Sequence, residues 1–422
     1  MNLNVSGSLC IDVETLTDNA GNRRAWTYQE RLLSRRAIFF SANEAFFVCS
    51  CAIWSESTIA EPEHHALKGW FVPKPLKPVH EPPQRQYTLS SSSYGQSMDD
   101  RGKPTNSFEG YQRVITEFSS RQLSWPSDGV NAVLGVLKLL GRADKTRMEM
   151  MYHGLPATFF DLALLWHPRC ISARPVDWKG QPQLPSWSWA GWDSQVGQGV
   201  FWDHGVLDES GHSNTLPVFQ WHALYGKGAW FTIPTLIAKD PVDREIQGQG
   251  PPGFTWQERQ YTKPPALPDG LESPRPHYYL YCRTTTAHFH LGPKLSWATL
   301  ALHKSNITSP YALLDYKDVF AGTIILSPTQ AEDVQDRKTM KFIFLSYACT
   351  FDPRISLDGT NDTKNNTKSR SYAGMLKKNK WWLVNCMWIR KAGKAVERKQ
   401  IARITVDAWL SAQPKVEWII LG

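Results

Sequence analysis

Between Arg24 and Ser34 most positions are good helix formers, and they run directly into Ala37-Ile38-Phe39-Phe40, a short apolar run with an aromatic pair. This pattern predicts a helix feeding a buried strand. After a turn at 41–44, residues 45–51 read as a second strand. From Val72 to Pro104 the chain carries Pro73, Pro75, Pro78, Pro82, Pro83 and the serine run 90–93, a composition that cannot build a core and reads as a linker or surface insert. Periodicity returns at Tyr111, Val114, Ile115 and Phe118, spaced i, i+3, i+4, i+7, the stripe of an amphipathic helix. A second helix is predicted with Ser127 or Asp128 as its N-cap, Val130, Val133, Leu134 and Leu137 as its stripe and Gly141 as its stop. A third is predicted from Pro156 to Trp166, closed by Pro168.

The period then changes. Leu184-Pro185-Ser186-Trp187-Ser188-Trp189-Ala190-Gly191-Trp192-Asp193 alternates tryptophan with small residues and predicts a strand ending in a turn. Residues 247–276 are rich in Gly and Pro and read as loop. Beyond them come strand-like pieces at His277–Arg283, Ala287–Leu291, Gly322–Leu326, Lys341–Ala348, Trp381–Ile389, Ala402–Val406 and Val416–Leu421, interrupted by the polar loop Asp358–Ser371. The prediction is an α+β chain. Residues 1–70 hold the first helix and strands, 71–108 the linker or insert, 109–195 a helical region ending in the tryptophan-rich strand, 196–276 an irregular region and 277–422 a β-rich module.

Composition sharpens this. A chain of 422 residues with 41% hydrophobic content can hold two or three cores, since single cores rarely grow past about 250–300 residues. Nineteen tryptophans add weight to strands. Seven scattered cysteines, Cys10, Cys49, Cys51, Cys170, Cys282, Cys349 and Cys386, do not lay out a secreted disulfide framework and fit a reducing compartment. No apolar run reaches the ~18–20 residues of a membrane span, and residues 1–22 lack the regions of a signal peptide, so a cytoplasmic protein with no membrane partner is expected. The sequons at Asn306, Asn361 and Asn365 are then chance matches.

The net charge of +8 is local: from Asn361 to Arg403 twelve Lys and Arg stand against Asp362 and Glu397, a surplus of +10 that leaves −2 elsewhere. With Trp381, Trp382 and Trp388 among them, these charges suggest nucleic-acid binding, in which rings stack on bases while cations track phosphates. The favoured alternative is a solvated loop and the exposed faces of strands, leaving weak, non-specific binding at most. Cys49-x-Cys51, His64-His65, His167 with Cys170, and His288-x-His290 resemble metal ligands but lack the paired spacing of zinc sites, so no metal is assigned. There is no phosphate-binding G-x-x-x-x-G-K-[ST] loop and no G-x-S-x-G elbow.

Arg24-Ala25-Trp26-Thr27-Tyr28-Gln29-Glu30-Arg31-Leu32-Leu33-Ser34 resembles the R-x-W-T-x-Q-E-x-x-L-S signature, carried here by Arg24, Trp26, Thr27, Gln29, Glu30, Leu33 and Ser34, that ends fungal heterokaryon-incompatibility (HET) domains. Cys49 with Ser55-Glu56, the helix at 111–119 with Arg121, the 128–135 helix start, Leu164-Leu165-Trp166, Pro185–Ala190 and Phe344-Leu345-Ser346 are similar, in order and spacing, to the extension of the same proteins. The S-Y-x-W-G and W-x-D-x-x-C-I-x-Q elements that open such domains do not precede Arg24, so the expectation is a C-terminal part lacking the first half of the domain. The resemblance implies a cytosolic factor in non-self recognition and cell death, with other incompatibility proteins or a second copy as partner. It also implies that residues 1–70 are a remnant of a TIR-like α/β domain.

Enzymatic TIR domains cleave NAD with a glutamate in a W-C-x-x-E-like helix, and Trp26 and Glu30 have that i, i+4 spacing. The resemblance therefore makes Glu30 the candidate catalytic carboxylate, stabilising the oxocarbenium-like state as the bond to nicotinamide breaks. NAD would be the substrate of a full-length form; no cofactor is expected. The second reading, favoured for this chain, is a capping box in which Glu30 bonds the backbone N–H of Thr27. Trp187, Trp189 and Trp192 likewise have two readings, an aromatic surface for a sugar or base or, by preference, packing in a core; Asp193 reads as a turn residue.

Overall fold

Three amphipathic helices turn their stripes toward one another. This computed structural model describes residues 23–40, 45–49, 53–56, 107–143, 150–169, 174–177, 179–193, 199–202, 215–217, 220–225, 229–234, 268–269, 271, 276–295, 308–335, 339–350 and 381–422. Helix α1 (Ala25–Leu33) buries Ala25, Tyr28 and Leu32. It packs on α2 (Ser107–Ser119) and α3 (Asn131–Ala143). The α2 stripe is the predicted one, with Tyr111, Val114, Ile115 and Phe118 buried beside Phe108. The proposed linker at 72–104, the loop at 358–371, the three sequons, Cys51, His64, His65 and Cys170 lie outside the described residues.

Local predictions needed correction where other bonds compete. Ser127 and Asp128 do not cap α3 but sit in a 3-10 turn, Pro126–Asp128, started by a proline whose fixed φ suits a first turn. Gly141 lies inside α3. The third helix shrinks to a 3-10 turn, Ala157–Phe159, and the single turn α4 (Phe160–Ala163). Preceded by the short hairpin of β4 (Met151–Tyr152) and β5 (Leu155–Pro156), α4 gives way to β6 (Trp166–Pro168), which pairs with β7 (Val200–Trp202). The carbonyls of Leu164 and Trp166 accept from the Arg398 guanidinium instead of closing another helical turn. The predicted buried strand, β1 (Arg36–Phe40), heads an antiparallel meander with β2 (Ala45–Cys49) and β3 (Ile53–Ser55). It is not buried: Ile38 is 61% and Phe40 71% exposed, because a layer is supplied on one side only, where Arg31 lies 5.7 Å from the Phe39 ring.

The C-terminal strands form one antiparallel sheet, and the whole is α+β. Its long strand β11 (Leu280–Lys294) merges two predicted pieces. It is followed by β12 (Ser309–Leu314), β13 (Phe320–Leu326), α5 (Pro328–Gln335), β14 (Met340–Thr350), β15 (Trp381–Ala392), β16 (Ala395–Thr405), α6 (Val406–Ser411) and β17 (Lys415–Leu421). The order β11-β12-β13-β16-β15-β14 closes on itself, because β14 pairs with β11 through Thr286↔Ile343 to Phe289↔Met340. Short strands from the region read as irregular join its margins: β8 (Thr215–Pro217) on β14, and β9 (His222–Tyr225) with β10 (Ala229–Thr232) beside β11.

The two-residue period of the strands sorts their side chains into two cores. Phe289, Leu313, Ile324, Phe342, Phe344, Val384, Cys386, Trp388, Ala402 and Ile404 fill the ring, with Val334 of α5 and Trp409 of α6 packed on them. Alternate positions such as Ile343, Leu345, Met387, Ile389 and Ile401 join the core of the three helices. Helices and sheet thus share a continuous apolar seam. Among the described residues no helix is long and apolar enough to cross a membrane.

Candidate functional site

The signature residues divide by face. Arg24 is the extended residue before α1, its carbonyl accepting from the Thr27 hydroxyl at 2.7 Å. At the other end Ser34 donates from its hydroxyl at 2.6 Å and its N–H at 3.0 Å to the Glu30 carbonyl, closing the last turn. Gln29 reaches across to α3, where its side-chain oxygen accepts from the Gly135 N–H at 2.8 Å. The helix is fastened further by Ala25 N–H donating to the Gln122 carbonyl at 2.8 Å, and by Arg121, which lies 4.7 Å from the Tyr28 ring while paired with Glu117 at 3.1 Å. Burial pushes the Arg121 guanidinium below its ordinary value, an effect its Glu117 partner opposes.

The capping box does not form. Thr27 lies inside the first turn, and the residue before α1 makes no side-chain cap. Glu30 is instead exposed, and Trp26 (42% exposed), Glu30 and Leu33 (41% exposed), spaced i, i+4, i+7, share the outward face of α1. Ile38 and Phe40 are the exposed residues of the strand that follows. Trp26, Glu30 and Leu33 of α1 and Ile38 and Phe40 of β1 are thus exposed, while Ala25, Tyr28 and Leu32 fix the other face of α1.

The tryptophan-rich stretch is neither a strand nor a surface. It is a turn leading into a 3-10 helix, Trp189–Gly191, because its serines and indoles satisfy local backbone. Ser188 accepts from Ala190 N–H at 3.0 Å and donates to the His153 carbonyl at 2.6 Å. Trp187 and Trp189 are buried and Trp192 half-buried, and each indole N–H donates within the fold: Trp187 to the Tyr278 carbonyl at 3.0 Å, Trp189 to the Tyr111 hydroxyl at 3.1 Å and Trp192 to the Ser186 carbonyl at 2.7 Å. Burial holds the Tyr111 hydroxyl far above its ordinary pKa, so it serves as a neutral relay from Trp189 to the Gly154 carbonyl. The stretch joins helices to sheet, since Ser186 N–H donates to the Gly422 carbonyl at 3.0 Å and its hydroxyl accepts from Arg398 N–H at 2.9 Å.

Sequence reasoning missed the interior use of charge. Arg398 and Arg403, counted in the basic segment, are buried, as is Trp388. The Arg398 guanidinium lies 3.6 Å from the Trp166 ring centre. A signal was present for Arg403, which interrupts the apolar run Ile401–Ile404, but not for Arg398, which lies in the polar stretch Glu397–Gln400. Lys377, Lys378 and Lys380 lie outside the described residues. Among the described residues no three His, Cys, Asp or Glu side chains gather as a metal site. Compared with known protein families, curated proteins and solved structures, the chain finds no match.

Proposed function

We propose that this protein is a HET-type factor of non-self recognition and cell-death signalling that acts by protein interaction through the open face of α1 and β1. The observation that carries the reading is the contrast within the signature. Ala25, Tyr28, Gln29, Thr27 and Ser34 have structural duties, whereas Trp26, Glu30 and Leu33 are exposed on α1, and Ile38 and Phe40 are exposed on the strand that follows. Exposed apolar side chains mark interaction sites where they join into one patch. The partner is another incompatibility protein or a second copy of this chain, met in the cytoplasm. Inducible expression in a filamentous fungus tests the reading: growth arrest in the presence of an incompatible partner is expected, and unchanged growth beside every allelic partner would remove its support.

A second reading is NAD glycohydrolysis by a full-length, TIR-like form with Glu30 as the carboxylate. Its support is that Trp26 and Glu30 stand one turn apart on the exposed face. Against it, β1, β2 and β3 pair antiparallel, unlike the parallel sheet of doubly wound α/β domains. Nicotinamide release by the purified chain, abolished in Glu30→Gln, would promote this reading. Nucleic-acid binding by the basic segment ranks third, since two of its arginines point inward.

A further inference from the structure

β1 is the outer strand of the order β1-β2-β3, and its pairing with β2 runs from Arg36↔Cys49 to Phe40↔Ala45 without a bulge. The direction of its backbone groups follows from β2. Ala45 turns its carbonyl to the Glu56 N–H at 2.9 Å and its own N–H to the Glu56 carboxylate at 3.2 Å, both on the β3 side of the sheet. In an antiparallel pair, residues whose amide groups face the neighbour alternate with residues whose groups face away. Phe40↔Ala45 is thus a pair without mutual bonds, and two and four positions back Ile38 and Arg36 direct their N–H and C=O groups outward from the sheet. No described strand pairs with that edge. The side chains of Arg36, Ile38 and Phe40 are exposed along it, as is Arg35, and neither arginine joins an ion pair among the described residues.

A regular edge of outward N–H and C=O groups is a template for another strand. We propose that β1 takes, as a fourth strand, an extended segment of a partner protein that is apolar across from Ile38 and Phe40 and acidic across from Arg36 and Arg35. Apolar and opposite-charge pairs across neighbouring strands stabilise such an addition. A lipid surface answers the arginines but offers the backbone groups no hydrogen-bond partners. A second copy of β1, Arg36–Phe40, carries no carboxylate and answers neither arginine. The inference rests on the interaction reading above and narrows it to a mode of docking and a partner chemistry.

The probes are fluorescein-labelled peptides, Val-Thr-Val-Thr-Glu-Glu and its reverse, which cover both strand directions. Titration of the full chain, read by fluorescence polarisation, is expected to show saturable binding of one of them. Methylating the backbone nitrogen of the valine across from Ile38 removes an inter-strand bond and should weaken binding by about tenfold or more. Lysines in place of the two glutamates should weaken it as well. The chain with Arg35→Glu and Arg36→Glu, both exposed positions, is expected to keep its melting temperature and to prefer the lysine peptide. No saturable binding, equal binding of the N-methylated peptide, or an unreversed preference in the folded variant would each overturn strand addition. Growth arrest judges the interaction reading separately: a chain that arrests growth but binds neither peptide keeps that reading and loses strand addition, and peptide binding without arrest does the reverse.

Discussion

The side-chain oxygen of Gln29 accepts from the backbone N–H of Gly135 at 2.8 Å, and a Cβ built on Gly135 would lie 2.7 Å from that oxygen and 3.2 Å from Leu33 Cδ1. The bond and the absent side chain are one device: α1 approaches α3 closely enough for Gln29 only because position 135 is bare. Ala in a helix interior is ordinarily better than Gly by about 1 kcal/mol, and a hydrogen bond contributes about as much. Gly135→Ala is therefore expected to give no gain in the native chain but about 1 kcal/mol of stabilisation in a Gln29→Ala background. Denaturant unfolding of the four chains measures the coupling, and strict additivity would contradict it.

Gly191 makes the tryptophan turn possible in a stricter way. A Cβ there would fall 2.1 Å from the Pro185 carbonyl oxygen, which is backbone and cannot swing aside. Gly191→Ala is expected to cost about 3 kcal/mol or more. A melting temperature within a degree or two of the native chain would show that the turn is looser than described.

Ser186 stitches helices to sheet through its hydroxyl. Ser186→Ala leaves the buried Arg398 N–H without its acceptor, a loss of about 1–3 kcal/mol. Ser186→Thr keeps the hydroxyl but must fit a methyl at a position with no exposure. The expected order of stability is Ser above both, read from urea midpoints.

His167 is held neutral in the fold, well below the ordinary imidazole range, first by burial and then by Arg398 and Arg403. The unfolded chain takes up that proton as pH drops below about 6.5, so its contribution is constant above that value and stability falls as the solution becomes more acid. The slope is at most about 1.4 kcal/mol per pH unit. Glu397, pushed up by burial but carried below the usual carboxylate range by Lys399 and Arg174, adds a separate loss only below about pH 4.3. His167→Gln should flatten stability between about pH 5 and 6.5 while keeping the lower loss; an unchanged profile would exclude His167 as the cause.

How far the sequence reveals this fold depends on whether a residue's partner is near in the chain. The α2 stripe at Tyr111, Val114, Ile115 and Phe118, and most strands of the β-rich part, follow from local period and were legible. The short α4, the tryptophan turn and the interior arginines are decided by Arg398 bonding Leu164 and by Ser186 bonding Gly422, contacts more than 200 residues apart that no local pattern carries. Glu30 shows the same limit in reverse. Its capping spacing was textually right, but Ala25 N–H bonds to Gln122 and the helix starts three residues too early for the box, with Arg24 and not Thr27 at its N-cap.

If the exposed side chains of α1 and β1 carry the signal, replacing them must abolish it without disturbing the fold. Trp26→Asp with Phe40→Asp changes exposed side chains only, so the double variant should melt within about 0.5–1 kcal/mol of the native chain. Growth rate after induced expression in a filamentous fungus, beside an incompatible partner, is then the measurement. Arrest by the native chain and normal growth with the folded double variant are expected; equal arrest by both would show that the signal does not pass through these side chains.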